Sequence, residues 1–361
     1  MLDYCAGTPD DWLQTLYLGR ALLHESEFKQ AEVYLVCPDD SGLAKAASNS
    51  GLGLLEIDPS ASPRTIAKRL TRDLRFHPGV GLLHSFDSRA LQTAMYLNRR
   101  SCRRGSYKIV HSLREAGVFN KSPLTLNAAD IVVAAGSRLY SMAMQAGVTE
   151  DKLRVVPLVY AAKANRSCKR SPKRQGRFVF SSFGSLGQGK NYRCLLEAMA
   201  CLHGMGLELP PWEVRIIGEG AHFDVLLDLA AKFDILPQLA MLGAQERLPL
   251  LLDSDVIISL ESGLSDSITI LEAWSAQVPV ICTLVPDHQE LAPKFDAVLA
   301  FDSGNPAALA GAMLKTMTDT TIVARLKQRG LARAAENSPE MAAGAYCRIY
   351  ASLLAGRSAS V

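Results

Sequence analysis

The sequence predicts an α/β protein built from two Rossmann-like halves, and three observations carry that expectation. Short apolar segments alternate with amphipathic helical stretches through all 361 residues. Most of the apolar segments are Val-, Ile- and Leu-rich runs without strict alternation, the pattern of parallel strands buried on both faces. One stretch, Ala162 to Gly176, combines basic residues with Ser, Asn and Pro and has no apolar period, so it divides the chain into two parts of domain size.

In chain order, "LDYCA" is a short first strand. The helix after it opens with Thr8 as N-cap, Pro9 in the first helical position and Asp11 at capping-box distance. "EVYLVCP", "VGLLHS", "YKIVHS", "DIVVAAG" and "LRVVPLV" are the further strands of the first half. "RFVFSSFG", "WEVRIIGEG", "LAMLGA", "DVIISL" and "VPVICTLV" are those of the second. The expected division is 1–162, a basic linker at 163–176, a second domain at 177–338, and a closing helix within 339–361 that packs back on the first half. Ligands of open α/β sheets bind outside the carboxyl ends of the strands, so both halves are expected to present loops to a central cleft.

Composition sets bounds on partners. With 48% hydrophobic and 21% charged residues the chain is of soluble globular type. No run of about 18 apolar residues suggests a membrane span. "MLDYCAGTPDDW" carries acids and no apolar core, so it does not read as a signal peptide. The 8 cysteines are scattered without a Cys-x-x-Cys pair, as expected of reduced thiols in the cytoplasm rather than of disulfides or a zinc site. Net charge is only +3, but basic residues cluster in "RRSCRRGSYK" (Arg99–Lys108) and "KANRSCKRSPKRQGR" (Lys163–Arg177). Each is either a solvated segment or a contact for an acidic acceptor or for anionic lipid at the inner face of a membrane. Neither carries the interleaved aromatics of a nucleic-acid surface.

The stretch "RFVFSSFGSLGQGKNY" joins a strand, a glycine turn and a helix start. Gly184, Gly189 and Lys190 fit the G-x-x-x-x-G-K frame of a nucleotide-triphosphate loop, but Asn191 stands where that loop needs a hydroxyl for magnesium. No later strand ends in a pair of acids, and "DVIISLES" puts Asp255 at its wrong end. What remains is a strand, a glycine turn, a lysine and a helix N-terminus, which suit a nucleoside diphosphate.

From that turn onward the sequence resembles the family-4 retaining glycosyltransferases of the GT-B fold. "GSLGQGKNYRCLLEAM" resembles the family's Gly-Arg-Leu turn, lysine and helix. "VRIIGEG" is similar to its hydrophobic-Gly-x-Gly turn, and "LGAQERLPLLLDSDVIISL" to its Leu-Gly, helix and Ala-Asp-Val segment. "ITILEAWSAQVPVICT" resembles the Leu-Glu-Ala helix with the strand after it, and "GNPAALAGAML" the late Asp-Pro-x-x-Leu-Ala helix. The order of these segments, across Phe178 to Leu314, carries the resemblance; the first half resembles the family more loosely.

The resemblance implies roles for single residues. Lys190 takes the position of the diphosphate-binding lysine. Glu272 takes that of the second acid of Glu-x7-Glu, which meets the ribose hydroxyls; a place in a helix's first turn would also suit the helix dipole. Gly184, Ser185, Gly189, Gly218, Gly220, Ser265 and Ser267 line the donor, and Glu290 sits near a later family acid. His111 would touch the donor sugar. His84 and Asp87 are candidates on the acceptor side, Arg114 and Glu115 are weaker ones, and Ser137 reads as a helix cap.

Two departures stand out. Ser185 replaces the family arginine that shares the diphosphate with the lysine, and a hydroxyl offers one neutral hydrogen bond in place of a charged fork. Leu264 replaces the sugar-side acid, so Glu261 or, preferably, Asp266 would have to serve. The implied activity is retaining transfer of a hexose from a nucleotide sugar to a glycan, lipid-linked or other acceptor in bacterial surface polysaccharide or glycoconjugate synthesis. His111, Lys190 and Asp266 would be catalytic. No cofactor and no metal site of the Asp-x-Asp kind is assigned. A degenerate nucleotide- or glycan-binding protein and a sugar-nucleotide epimerase are the rival readings; an epimerase needs no acceptor, and a binding protein releases no nucleoside diphosphate.

Overall fold

The computed structural model describes residues 1–3, 9–25, 32–48, 50–73, 81–101, 107–114, 126–158, 176–187, 190–260, 264–292 and 295–355. The chain divides into two compact units, Met1–Ala161 with Asn337–Val361, and Ala162–Glu336. The first runs α1 (Pro9–His24), β1 (Tyr34–Pro38), α2 (Gly42–Ala47), β2 (Gly53–Ile57), α3 (Pro63–Asp73), β3 (Leu82–Ser85), α4 (Ser88–Ser101), β4 (Lys108–Leu113), β5 (Ile131–Ala134), α5 (Ser137–Gln145) and β6 (Leu153–Val155). The second runs β7 (Phe178–Phe183), α6 (Tyr192–Gly204), β8 (Trp212–Ile217), α7 (Phe223–Lys232), β9 (Leu239–Met241), α8 (Arg247–Leu252), β10 (Val256–Ser259), α9 (Leu264–Ser275), β11 (Val280–Thr283), α10 (Pro286–Leu291), β12 (Leu299–Phe301), α11 (Pro306–Thr318) and α12 (Thr320–Glu336). A last helix, α13 (Pro339–Ala355), returns to the first unit.

In the first unit β1 pairs with β2, and β3, β4, β5 and β6 pair in that order, all in parallel. Leu2 joins the two sets by bridging to Val36 of β1 and Ser85 of β3. Thus only Leu2 of the expected first strand is seen pairing, and residues 4–8 lie outside the described residues. Successive residues of a strand face opposite sides. Ile109, Leu113 and Val132 pack against Ile66, Leu70, Leu91 and Leu97 of α3 and α4. Val110, Ile131 and Val133 pack against Leu18 and Leu22 of α1 and Ile349 of α13.

That second face also carries a buried polar chain. His84 Nδ1 lies 2.6 Å from the hydroxyl of Tyr350, and Nε2 lies 2.8 Å from Ser112 Oγ, which in turn meets the hydroxyl of Tyr346 at 2.7 Å. Burial lowers the His84 pKa far below its ordinary value, so the ring is neutral. This corrects the expectation that His84 faces an acceptor. The ring is 1% exposed; Nδ1 meets Tyr350 of α13, and Nε2 meets Ser112 of β4, which itself meets Tyr346 of α13.

The sheet of the second unit has the order β12-β11-β10-β7-β8-β9, parallel throughout. From β7 the chain builds outward through β8 to β9, then crosses back to lay β10 on the other side of β7. The order therefore reverses between β7 and β10, where Phe180 and Ser181 pair with Val256 and Ile257. That is the topological switch point, the place where open sheets bind ligands. Arg99 and Arg100 of the first basic cluster are exposed at the end of α4, while Arg103, Arg104 and most of the second cluster lie outside the described residues. Among the described residues no helix is long and apolar enough to cross a membrane.

The buried chain makes a specific demand on stability. Tyr350→Phe keeps the ring but leaves His84 Nδ1 without that hydroxyl, and a buried polar atom that loses its partner costs about 1–3 kcal/mol. Urea unfolding should register that loss; unaltered stability would show that ring packing alone anchors α13.

Candidate functional site

The loops at the carboxyl ends of β7, β8 and β9 are joined main chain to main chain. Gly184 N–H donates to the Ile217 carbonyl at 2.9 Å, Leu186 N–H to Glu219 at 2.8 Å, and Gly218 N–H to Gly243 at 2.9 Å. Side chains would prevent this. A Cβ on Gly218 would run into the Gly184 carbonyl, and one on Gly184 into the end of Lys190. Both glycines also have positive φ, 148° at Gly184 and 154° at Gly218. Gly220 is likewise pressed against the Leu186 backbone.

Lys190 lies over this turn. Its ammonium donates to the Phe183 carbonyl at 2.7 Å, at the end of β7, and the Tyr192 hydroxyl donates to the Gly184 carbonyl at 3.3 Å. Asn191 is the N-cap of α6, its side chain accepting from Cys194 N–H at 3.2 Å. The position where a triphosphate loop holds its magnesium-binding hydroxyl is thus spent on capping. Ser185 is exposed at the turn, and Gly189 lies outside the described residues.

Across the switch point, Leu264, Ser265, Asp266 and Ser267 form the first turn of α9, so its N–H groups and dipole favour an anion there. Ser267 is buried. The side chains of Leu264, Ser265 and Asp266, all of Glu261 and the side chain of Glu290 lie outside the described residues. Glu272 stands in the third turn of α9, not the first, so its role cannot be that of a dipole partner. Its carboxylate is 14% exposed and lies 2.8 Å from Arg247 Nε, at the first residue of α8. Arg247 also donates to Thr269 Oγ1 at 3.0 Å. The single Asp-x-Asp stretch, Asp253-Ser254-Asp255, sits at the amino end of β10. Asp253 pairs with Arg215 at 2.8 Å and Asp255 accepts from Val179 N–H at 3.0 Å, so both carboxylates have structural partners, away from the carboxyl ends that carry the glycine turns.

In the first unit, the candidates separate. Asp87 is the N-cap of α4 and accepts from the N–H groups of Arg89 and Ala90, both at 2.8 Å, a capping role in place of the expected acceptor contact. Aspartate followed by Ser-Arg-Ala at a helix start was the signal for it. Ser137 is the first residue of α5, one past the cap position, Gly136. His111 lies within β4, fully buried, with Nδ1 2.9 Å from Ser85 Oγ and, among the described residues, no hydrogen-bond partner at Nε2. It is therefore not displayed at an open strand end. Arg114, over the ring of Phe86 at 4.1 Å, bonds Asp3 at 3.3 Å and Thr15 at 2.7 Å, both buried; Glu115 lies outside the described residues.

Residues 164–333, which hold the glycine turns, Lys190, α8 and α9, match the family of glycosyl transferases group 1. That match spans a little under half of the chain, and the fold is of the GT-B type. The lipopolysaccharide core biosynthesis glycosyltransferase LpsE of Rhizobium meliloti (strain 1021) is 28% identical over 153 residues; the match covers 42% of this chain and only 43% of that protein. The structure is similar to a glycosyltransferase from Rickettsia africae ESF-5, with a TM-score of 0.78, 14% identity and 98% of each chain covered. It is also similar to Anabaena Alr3699/HepE in complex with UDP and glucose, with a TM-score of 0.75, 13% identity, and 97% and 98% covered. At such identities the structures speak for the fold alone.

The buried histidine gives a pH dependence. Burial, and then the charge of Arg114, lower the pKa of His111 to about 4. Unfolded, the ring takes up a proton below its ordinary 6.5. Its contribution is thus complete above pH 6.5 and is lost towards pH 4, by about 1.4 kcal/mol per pH unit. Urea unfolding at pH 7.5 and 5.5 should show the loss, and His111→Asn should make it shallower. An unchanged slope in that variant would contradict the assignment.

Proposed function

We propose that the protein is a retaining glycosyltransferase that moves a hexose from a nucleoside diphosphate donor to a glycan or lipid-linked acceptor in surface polysaccharide synthesis. The observation that carries the reading is Lys190 lying across the Gly184 turn at the switch point, with the first turn of α9 on the other side of it. Cation, backbone N–H groups and helix end together suit a diphosphate. The glucose and UDP held by HepE, and the lipopolysaccharide named for LpsE, support a UDP-hexose donor and a saccharide acceptor.

The chemistry follows from the charge. As the bond from the sugar to the diphosphate breaks, negative charge grows on the leaving oxygen. Lys190 and the turn N–H groups stabilise it in place of a metal. The acceptor hydroxyl enters from the face that the diphosphate leaves and passes its proton to the departing diphosphate oxygen, which retains configuration without an enzyme nucleophile. Asp266, at the start of α9, holds the sugar in place of the acid missing at Leu264, and Glu272 holds the ribose hydroxyls. His111, neutral and buried, would reach the sugar only if its ring became uncovered. With Ser185 and Leu264 in place of charged residues, a binding protein without turnover is the alternative.

Two variants test the reading. Lys190→Ala should weaken UDP by roughly tenfold or more, since a charged hydrogen bond contributes about 1.5–3 kcal/mol, and leave uridine almost unaffected. Equal weakening of both would remove Lys190 from the diphosphate. Asp266→Asn should lower sugar transfer at least tenfold, about 1.4 kcal/mol of transition-state stabilisation, with UDP affinity unchanged. Binding of UDP-sugars without transfer or hydrolysis by the unaltered protein would favour the binding protein.

A further inference from the structure

The ion pair between Arg247 and Glu272 is explained by neither helix on its own. Arg247 begins α8, which enters the crossover from β9 to β10, and Glu272 is on α9, which leaves β10. Thr269 and Glu272 are three residues apart and so share one face of α9. The guanidinium spans that face, with Nη1 on the Thr269 hydroxyl at 3.0 Å and Nε 2.8 Å from the carboxylate. Arg247 is 22% exposed and Glu272 14%, so the pair is shielded and its attraction is less screened than on a surface.

We propose that Arg247 is a positioning residue that fixes the Glu272 carboxylate for the ribose hydroxyls of the donor nucleotide. This rests on the reading above, in which Glu272 meets the ribose. A glutamate alone would lose rotamer freedom on binding. A guanidinium hydrogen-bonded to Thr269 and ion-paired with the carboxylate takes part of that ordering into the folded state, where the ligand no longer bears it. A carboxylate offers two acceptor oxygens, enough for both ribose hydroxyls. Lysine could replace the charge but not reach Thr269 and the carboxylate at once with a planar fork.

Calorimetric binding of UDP and of 2′,3′-dideoxy-UDP to the whole protein tests the assignment, because the second ligand lacks only the hydroxyls in question. The unaltered protein should prefer UDP about tenfold. In Arg247→Met that preference should fall to about twofold or less, through weaker UDP binding, with dideoxy-UDP unchanged. Arg247→Lys, which keeps the charge, should give an intermediate preference. A merely structural role would weaken both ligands together and leave their ratio intact, and that result in either variant overturns the proposal. Arg247→Lys decides the matter should Arg247→Met fail to fold. A preference absent from the unaltered protein would overturn the ribose role of Glu272 and the proposal with it, while leaving the diphosphate site standing. No binding of either nucleotide would overturn the donor reading as a whole.

Discussion

Close packing of main chain on main chain at the ends of β7 and β8 is the constraint on which the second unit depends. Gly218 sits on the Gly184 carbonyl, and no side chain fits between them. This contact sets the height of the turn against the sheet, and the turn sets where Lys190 lies. The hydrogen bonds of Gly184, Leu186 and Gly218 then pass the same order to the loops after β8 and β9. A site made of N–H groups must be held this way, since backbone donors are only as well placed as the loop that bears them.

The first unit shows another way of fixing a loop-bearing sheet. Apolar packing on α1 and α13 carries the bulk of the contact, and it is non-directional. The chain from Tyr350 through His84 and Ser112 to Tyr346 adds direction, because these atoms are satisfied in one register only. A buried neutral imidazole serves this well: one nitrogen donates, the other accepts, and no charge has to be desolvated.

Much of the fold was legible because it is written in local patterns. Ten strands were marked by their apolar runs, and the switch from strand to glycine turn to helix marked the position of Lys190. The strands not foreseen were β2 and β12. β2, "GLLEI", begins with glycine and carries an exposed glutamate, and β12 has only three residues; both lie at the end of their strand order, where one side goes without a neighbour. Site residues were harder, for two reasons. His84 looked like a residue at a strand's ligand-facing end because its partner, Tyr350, is 266 positions away in the sequence. Arg247 had no signal at all: a single arginine before Leu-Pro acquires meaning only when α9 is laid beside α8.

The return of α13 to the first unit has a consequence for synthesis. The second unit is one continuous segment, so it can fold as soon as it leaves the ribosome. The first is interrupted, and the tyrosines that close over His84 and Ser112 are separated from them by 266 and 234 residues. Until the last turns of α13 emerge, that face of the sheet is covered by α1 alone, and His84 lacks its tyrosine partner. The loop-closure entropy of such a distant join grows slowly with length, by about 0.6 kcal/mol per doubling, so the final state is hardly weakened. The cost is in time: a nascent chain waits with a sticky surface, the circumstance in which chaperones are needed.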